Sequence, residues 1–279
     1  MQKIDAHQHF WKFDPVRDSW ISDEMSVIRK DFLPEDLFPI LKQTGVDGCV
    51  AVQADQSIDE TKFLLQCADK YEFIKGVVGW INLQSEEVEE WLEYFKPFKK
   101  LKGFRHVLQG ETNRALMLTE DFKRGIKALK KYDYTYDILI YPDQLQYAKE
   151  FAELFPEQAF VVDHIAKPNI KKGDVTEWKK NIEALAELEN VSCKISGMVT
   201  EADWENWQPK DLCPYLDIVV NAFGTDRIMF GSDWPVCLVA SSYTKWVEVI
   251  SQYFEQFSKA EQVDFFGDNA VKFYRLDIA

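Results

Sequence analysis

The sequence predicts a (β/α)8 barrel formed as a single domain over residues 1–279. Three observations carry that expectation. Eight short runs rich in β-branched and aromatic residues recur along the chain, with amphipathic helical segments between them. The connections between consecutive runs are long, as parallel strands require, whereas antiparallel neighbours need only a tight turn. A chain of 279 residues also suits one such barrel, which typically takes ~250. The alternative is an open doubly wound sheet. A glycine-rich dinucleotide loop after the first strand would favour it, and the sequence has none.

The strand candidates are 3–9, 48–53, 75–81, 102–107, 136–141, 159–164, 191–196 and 227–233. Pro34-Glu35-Asp36-Leu37 opens the first helix, since proline in the first turn has no hydrogen bond to lose, and Gly45 closes it. Segments 59–72, 85–99, 120–132, 143–155, 175–189, 210–223 and 243–257 carry apolar residues three and four apart, as in Val88, Trp91, Leu92 and Phe95. Ser258-Lys259-Ala260-Glu261 is a capping-box signature for a last helix. Two long aromatic segments, 10–33 with Trp11, Phe13 and Trp20, and 197–209 with Trp204 and Trp207, follow strands. Loops in that position build the catalytic face of a barrel.

A net charge of −14 argues against a nucleic-acid partner, which needs clustered Lys and Arg, and against an anionic membrane surface. A neutral small molecule, or an anion met by a few local cations, fits better. The 5 cysteines, at positions 49, 67, 193, 213 and 237, are odd in number, widely spaced and without a CxxC. They read as reduced thiols of a cytoplasmic protein. Residues 1–10 are polar, without the apolar stretch of a secretion signal, and no run is long enough to span a bilayer.

The chain has 4 histidines, His7, His9, His106 and His164, each at or near the end of a predicted strand. In a barrel those ends converge. His7 and His9 are two apart, so on a strand they share a face and both could enter the barrel mouth to hold one metal ion. Asp5 is expected on the same face, one step deeper. At the other end of the sheet, Phe230-Gly231-Ser232-Asp233-Trp234-Pro235 closes the eighth strand with an acid. The proline stops the strand there. Strands one and eight are neighbours in a closed barrel, so Asp233 can reach whatever His7 and His9 hold. It can bind a metal or take a proton from water. A pair of core histidines with an N-capping aspartate is the plainer alternative.

Asp5-Ala6-His7-Gln8-His9 together with Gly231-Ser232-Asp233-Trp234-Pro235 resembles the amidohydrolase superfamily, of the amidohydrolase 2 type. DAHQHFW at 5–11, KGFRH at 102–106, DHIAKP at 163–168 and FGSDWPV at 230–236 are similar to its sugar-lactonase branch, the fuconolactonase-like and rhamnonolactonase-like enzymes. The resemblance implies metal ligation by His7, His9 and Asp233, and catalytic roles for Asp233, His164 and His106. It places Arg105 against substrate, and Trp11, Trp80, Asn82 and Trp234 are candidates to flank a sugar ring. The fifth strand has no histidine and the fourth no obvious carboxylated-lysine position. One divalent ion, zinc being favoured, is therefore expected rather than two, with a metal-free reaction as the alternative. Lys167 reads as a loop cap. The implied activity opens a sugar (aldono-) lactone to the aldonic acid by attack of water on the ring carbonyl; without a GxSxG elbow, water is the expected nucleophile. Other reactions of the superfamily, decarboxylation or dicarboxylate-lactone hydrolysis, call for several arginines where Arg105 stands almost alone. A non-catalytic sugar-binding barrel is the rival from a different class, and assembly into a homo-oligomer is left open.

Overall fold

The computed structural model describes residues 2–278. Its eight strands are β1 Ile4–Gln8, β2 Gly48–Val52, β3 Ile74–Gly79, β4 Leu101–His106, β5 Thr135–Ile138, β6 Phe160–Val162, β7 Val191–Ile195 and β8 Ile228–Phe230. Each pairs in parallel with the next. Helices α1 Pro34–Thr44, α2 Ile58–Lys70, α3 Val88–Phe95, α4 Glu120–Lys131, α5 Leu145–Leu154, α6 Thr176–Ala186, α7 Pro209–Phe223 and α8 Tyr243–Phe254 follow the strands in turn. All eight predicted strands and the helices between them are present. The predicted last helix is broken into α9 Lys259–Val263 and α10 Asn269–Tyr274 by a π-turn over Asp264–Asp268. No helix among the described residues is long and apolar enough to cross a membrane.

The strands are apolar on both faces because helices cover the outside and side chains fill the inside, as parallel sheets demand. Cys49, Ala51, Phe104, Tyr136 and Phe160 point outward to meet Leu64, Phe122 and Phe151 of the helices. Ile4, Ala6, Val50, Val52, Val78, Val161 and Met229 form a smaller inner cluster, plugged by Ala270, Tyr274 and Leu276 of the C-terminal segment. That plug lies at the end of the barrel where β1 begins and leaves the opposite end open. The strands stop earlier than expected where the backbone turns: β8 ends at Phe230 and Asp233 sits at φ 58°, while β6 ends at Val162 ahead of a left-handed turn.

The seam between β1 and β8 departs from simple alternation. Ile4 and Ala6 face inward, yet the pairing of β1 with β2 shifts register between Asp5 and Gln8. Alternation with Ile4 and Ala6 sends Asp5 outward, and this bulge turns His7 inward instead of leaving it on the Asp5 face. The expectation that Asp5 lies below the histidines is thus corrected: a bulge inserts one residue and re-aims the side chains around it. Asp5 Oδ1 accepts hydrogen bonds from the amides of His7 (3.1 Å) and Ser232 (2.9 Å), and Oδ2 accepts from the Tyr243 hydroxyl (3.1 Å). Burial pushes this carboxyl up to about 6, against the pull of those bonds. Beyond Asp5, the Asp233 amide donates to the His7 carbonyl (2.8 Å) and the His9 amide to the Trp234 carbonyl (2.7 Å), which closes the barrel.

Asp5→Ala is therefore expected to leave two buried amides and a hydroxyl without an acceptor. At roughly 1–3 kcal/mol for each such group, unfolding by urea should show a loss of about 3 kcal/mol or more. Asp5→Asn keeps an acceptor oxygen and should lose clearly less; equal losses would show that the carboxylate does not clamp the seam.

Candidate active site

The bulge, the seam and two turns bring three imidazoles to one carboxylate. Asp233 Oδ1 lies 3.3 Å from His9 Nε2, 3.8 Å from His164 Nε2 and 3.9 Å from His7 Nε2. The other nitrogen of each ring is engaged away from it. His7 Nδ1 is 3.2 Å from Asp163 Oδ1, His9 Nδ1 is 2.7 Å from the Val52 carbonyl, and His164 Nδ1 is 2.8 Å from the Ser196 hydroxyl. The Val52 carbonyl can only accept, so His9 Nδ1 is the donor in that contact. Burial drives His7 and His164 well below the ordinary histidine range; Asp163 opposes this at His7, and His7 reinforces it at His164. Both rings are therefore neutral near pH 7.

His164 reaches the mouth through backbone strain. Residues His164 to Lys167 all have positive φ, at 54°, 49°, 59° and 49°, a conformation that non-glycine residues avoid. Opposite it, Gly197 at φ 61° leaves the room the ring needs: a Cβ there would lie 2.5 Å from His164 Nδ1.

Beneath the imidazoles is a layer of buried charge that sequence reasoning missed. Lys194 Nζ meets Asp137 Oδ2 at 2.6 Å, Asp163 Oδ1 at 3.0 Å and His7 Nδ1 at 3.1 Å. Arg105 Nη1 donates to Asp163 Oδ2 (2.9 Å) and lies 3.3 Å from His7 Nε2, while Nη2 donates to Gln53 Oε1 (3.0 Å) and to the Gln53 carbonyl. The Tyr274 hydroxyl donates to Asp137 Oδ2 (2.8 Å) from the plug. Two cations and two carboxylates thus balance inside the barrel, the only way such charges tolerate burial. Burial opposes ionisation of Asp163, yet Lys194, His7 and Arg105 hold its carboxyl well below the usual range. Burial pushes Asp137 up to about 6, against the pull of Lys194. The available signal was an acid or a base in the middle of strands that are otherwise apolar on both faces.

A cavity of 530 Å³ opens above Asp233, lined at its base by His9, Arg105, His164 and Asp233. Its walls include Trp20 and Met25 from the loop after β1, Tyr141 beyond β5, Lys167 beyond β6, and Thr200, Glu201 and Trp204 beyond β7. Six of the site residues singled out in the sequence are not in this lining; His7 lies buried just beneath it. Strand alternation sends Arg105 inward and His106 outward, where its ring meets Phe122 edge-on, Nε2 pairs with Glu111 (2.8 Å) and Nδ1 faces Trp80 Nε1 (3.4 Å). Trp11 and Trp234 are buried against Phe32. Asn82 is exposed and accepts from the Gln84 amide in a turn. The aromatic surface offered to a ligand is that of Trp20, Tyr141 and Trp204.

An inward-facing cluster of imidazoles and one aspartate at the C-terminal rim of a (β/α)8 barrel defines a hydrolase-type site. The amidohydrolase family model matches residues 4–276, and the chain belongs to that family. It is 38% identical to an L-fucono-1,5-lactonase of Burkholderia multivorans over 98% of this chain and 96% of that protein. It is 23% identical to an L-rhamnono-gamma-lactonase of Scheffersomyces stipitis over 84% of this chain and 86% of the relative. A crystal structure of an amidohydrolase from Burkholderia multivorans with bound zinc superposes with a TM-score of 0.96 at 38% identity, covering 99% of this chain and 100% of that one. A probable 2-pyrone-4,6-dicarboxylic acid hydrolase of Acinetobacter baumannii shares the fold, with a TM-score of 0.76 at 16% identity, covering 99% of this chain and 100% of that one.

One wall of the cavity carries a pH-sensitive support. Glu60, capped in α2 by Ser57 (3.1 Å), accepts from the Ala54 amide (3.0 Å) and so holds the loop that presents Asp55 and Gln56. Burial pushes its carboxyl up to about 7. An acid whose folded value lies above its unfolded value costs stability once ionised, so the cost is absent below about pH 4.5 and accrues as pH rises through 7. Relative to the parent, Glu60→Gln should gain on the order of 1–3 kcal/mol in urea unfolding between pH 5 and pH 8. An unchanged difference across that interval would contradict it.

Proposed function

We propose that this chain hydrolyses a neutral sugar lactone to its open-chain acid, with Asp233 as the group that activates water. The observation that carries the reading is the convergence of His7, His9 and His164 on one oxygen of Asp233 at the base of a ligand-sized cavity. The relatives named lactonases support the reaction class. The lining supports a neutral substrate: Arg17, Arg105 and Lys167 are set against Asp18, Asp55, Glu201 and Asp233. A dicarboxylate would need a surplus of cations there, and an aromatic acid awaiting decarboxylation would need at least one unengaged arginine.

The donor set fits a divalent ion. One ligand atom from each of His7, His164 and Asp233 lies within 4.8 Å of the others, and His9 Nε2 lies 3.3 Å from both His7 Nε2 and Asp233 Oδ1. Neutral imidazoles with a carboxylate suit zinc, and the Asp163, Val52 and Ser196 contacts supply the outer hydrogen bonds that orient such ligands. A divalent ion held there supplies Lewis-acid polarisation of a carbonyl and lowers the pKa of water toward ~7.

The protein's own groups account for the proton movements. A water hydrogen-bonded to Asp233 gives it a proton as its oxygen bonds to the lactone carbonyl carbon. Arg105, at the base of the cavity and fixed by Asp163 and Gln53, offsets the negative charge that collects on the carbonyl oxygen. One well-placed donor of this kind is typically worth ~3 kcal/mol. Collapse of the tetrahedral species breaks the ring carbon–oxygen bond, and Asp233 returns its proton to the departing ring oxygen.

Two outcomes follow. In a panel of aldonolactones followed by acid release, at least one should be opened well above its spontaneous rate, and Asp233→Asn should lower its kcat by about 10²–10⁴. Turnover at the spontaneous rate for every lactone would leave only a binding protein. In calorimetric titration with zinc, the parent should take up one equivalent, and His7→Asn or His164→Asn should weaken it about tenfold or more; undiminished uptake in both variants would remove the proposed ligands.

A further inference from the structure

Above the reacting groups, the cavity holds a second pair of polar side chains with no task in the hydrolysis. Glu201 ends the short turn Val199–Glu201 after β7, and Lys167 ends the strained turn after β6. Both line the cavity. Their charged atoms are 3.9 Å apart, beyond hydrogen-bond distance. Lys167 Nζ also stands 5.8 Å from the centre of the Tyr141 ring, which helps hold it in that place.

Several neighbouring polar groups of the lining have closer partners. The Thr200 hydroxyl donates to the Gly197 carbonyl (2.6 Å), Trp204 Nε1 to the Thr200 carbonyl (2.8 Å), and Gln56 accepts from the Val107 amide (2.7 Å). Asp18 is occupied by Arg17 and the Asp14 amide. Glu201 and Lys167 are thus an acceptor and a donor held side by side, too far apart to satisfy each other. A hydroxyl group donates and accepts at once. One hydroxyl set between them donates a hydrogen bond to Glu201 and accepts one from Lys167, making two charge-assisted bonds where there was a loose ion pair.

We propose that Glu201 and Lys167 recognise a substrate hydroxyl and thereby set the specificity of this site for polyhydroxylated lactones over bare ones. The inference rests on the reading of the cavity as a lactone site. A site built to bond a hydroxyl rejects the analogue that lacks it, because its own polar groups are then left desolvated and unpaired.

The test compares the parent, Glu201→Gln, Lys167→Met and the double variant on an aldono-1,5-lactone and on δ-valerolactone, which has the same ring without hydroxyls. Binding of the corresponding aldonolactam, whose amide resists hydrolysis, is measured by calorimetry on the same proteins. Each single variant should raise KM for the aldonolactone by about tenfold or more with kcat held within about threefold, as expected for a bond made in both ground and transition states. The double variant should be little worse than the worse single one, since one hydroxyl is shared. KM for δ-valerolactone should stay within about threefold of the parent's. Aldonolactam affinity should fall in step. An equal rise of KM for both lactones, or unchanged lactam affinity in folded variants, would overturn the pair's role; a shift in Tm alone would make it a loop tie. Should the parent open no lactone while lactam affinity still drops in the variants, hydrolysis fails and hydroxyl recognition stands.

Discussion

The site depends on a single carboxylate that never reaches it. Asp5 holds the amide of His7 on the first strand and the amide of Ser232 after the last. The same contact supports the bulge that turns His7 inward and fixes the position from which Asp233 folds back over the mouth. A barrel has no edge only if its first and last strands meet, and here the groups that close it also aim the chemistry.

Beneath the mouth, the interior is filled partly by ions rather than by hydrocarbon alone. Lys194, Arg105, Asp137 and Asp163 neutralise one another, and the C-terminal segment seals them with the Tyr274 hydroxyl. Such an arrangement contributes little net stability, because desolvation offsets attraction. Its value lies in direction: Asp163 is held ionised against His7 Nδ1, leaving His7 Nε2 to face Asp233. Buried partners of this type orient imidazoles more firmly than solvent could.

The labour is divided along the chain in the manner of the fold. Strand ends and the turns just past them supply His7, His9, Arg105, His164 and Asp233. The longer loops supply the walls, with Trp20 (46% exposed) and Tyr141 (40% exposed) standing at the opening. Amidohydrolases with different substrates can therefore share a base while differing in the loops, which is where Glu201 and Lys167 lie.

The sequence by itself determined the order of elements, since alternating apolar runs and amphipathic segments call for parallel strands joined by helical crossovers, and the missing glycine-rich loop favoured a barrel over an open sheet. It also pointed to His7, His9, His164 and Asp233 at or near strand ends, side chains that the closed sheet brings together at one mouth. Tertiary structure decided which neighbours face which way. A one-residue bulge put His7 on the opposite face from Asp5, strand alternation turned His106 from the mouth, and packing against Phe32 absorbed Trp11 and Trp234. The partnership of Lys194 with Asp137 and Asp163 was likewise invisible, since residues 31 to 57 positions apart meet only when the sheet closes. Local pattern reports the period of a strand; where that period slips, and what lies across the barrel, are properties of the closed sheet.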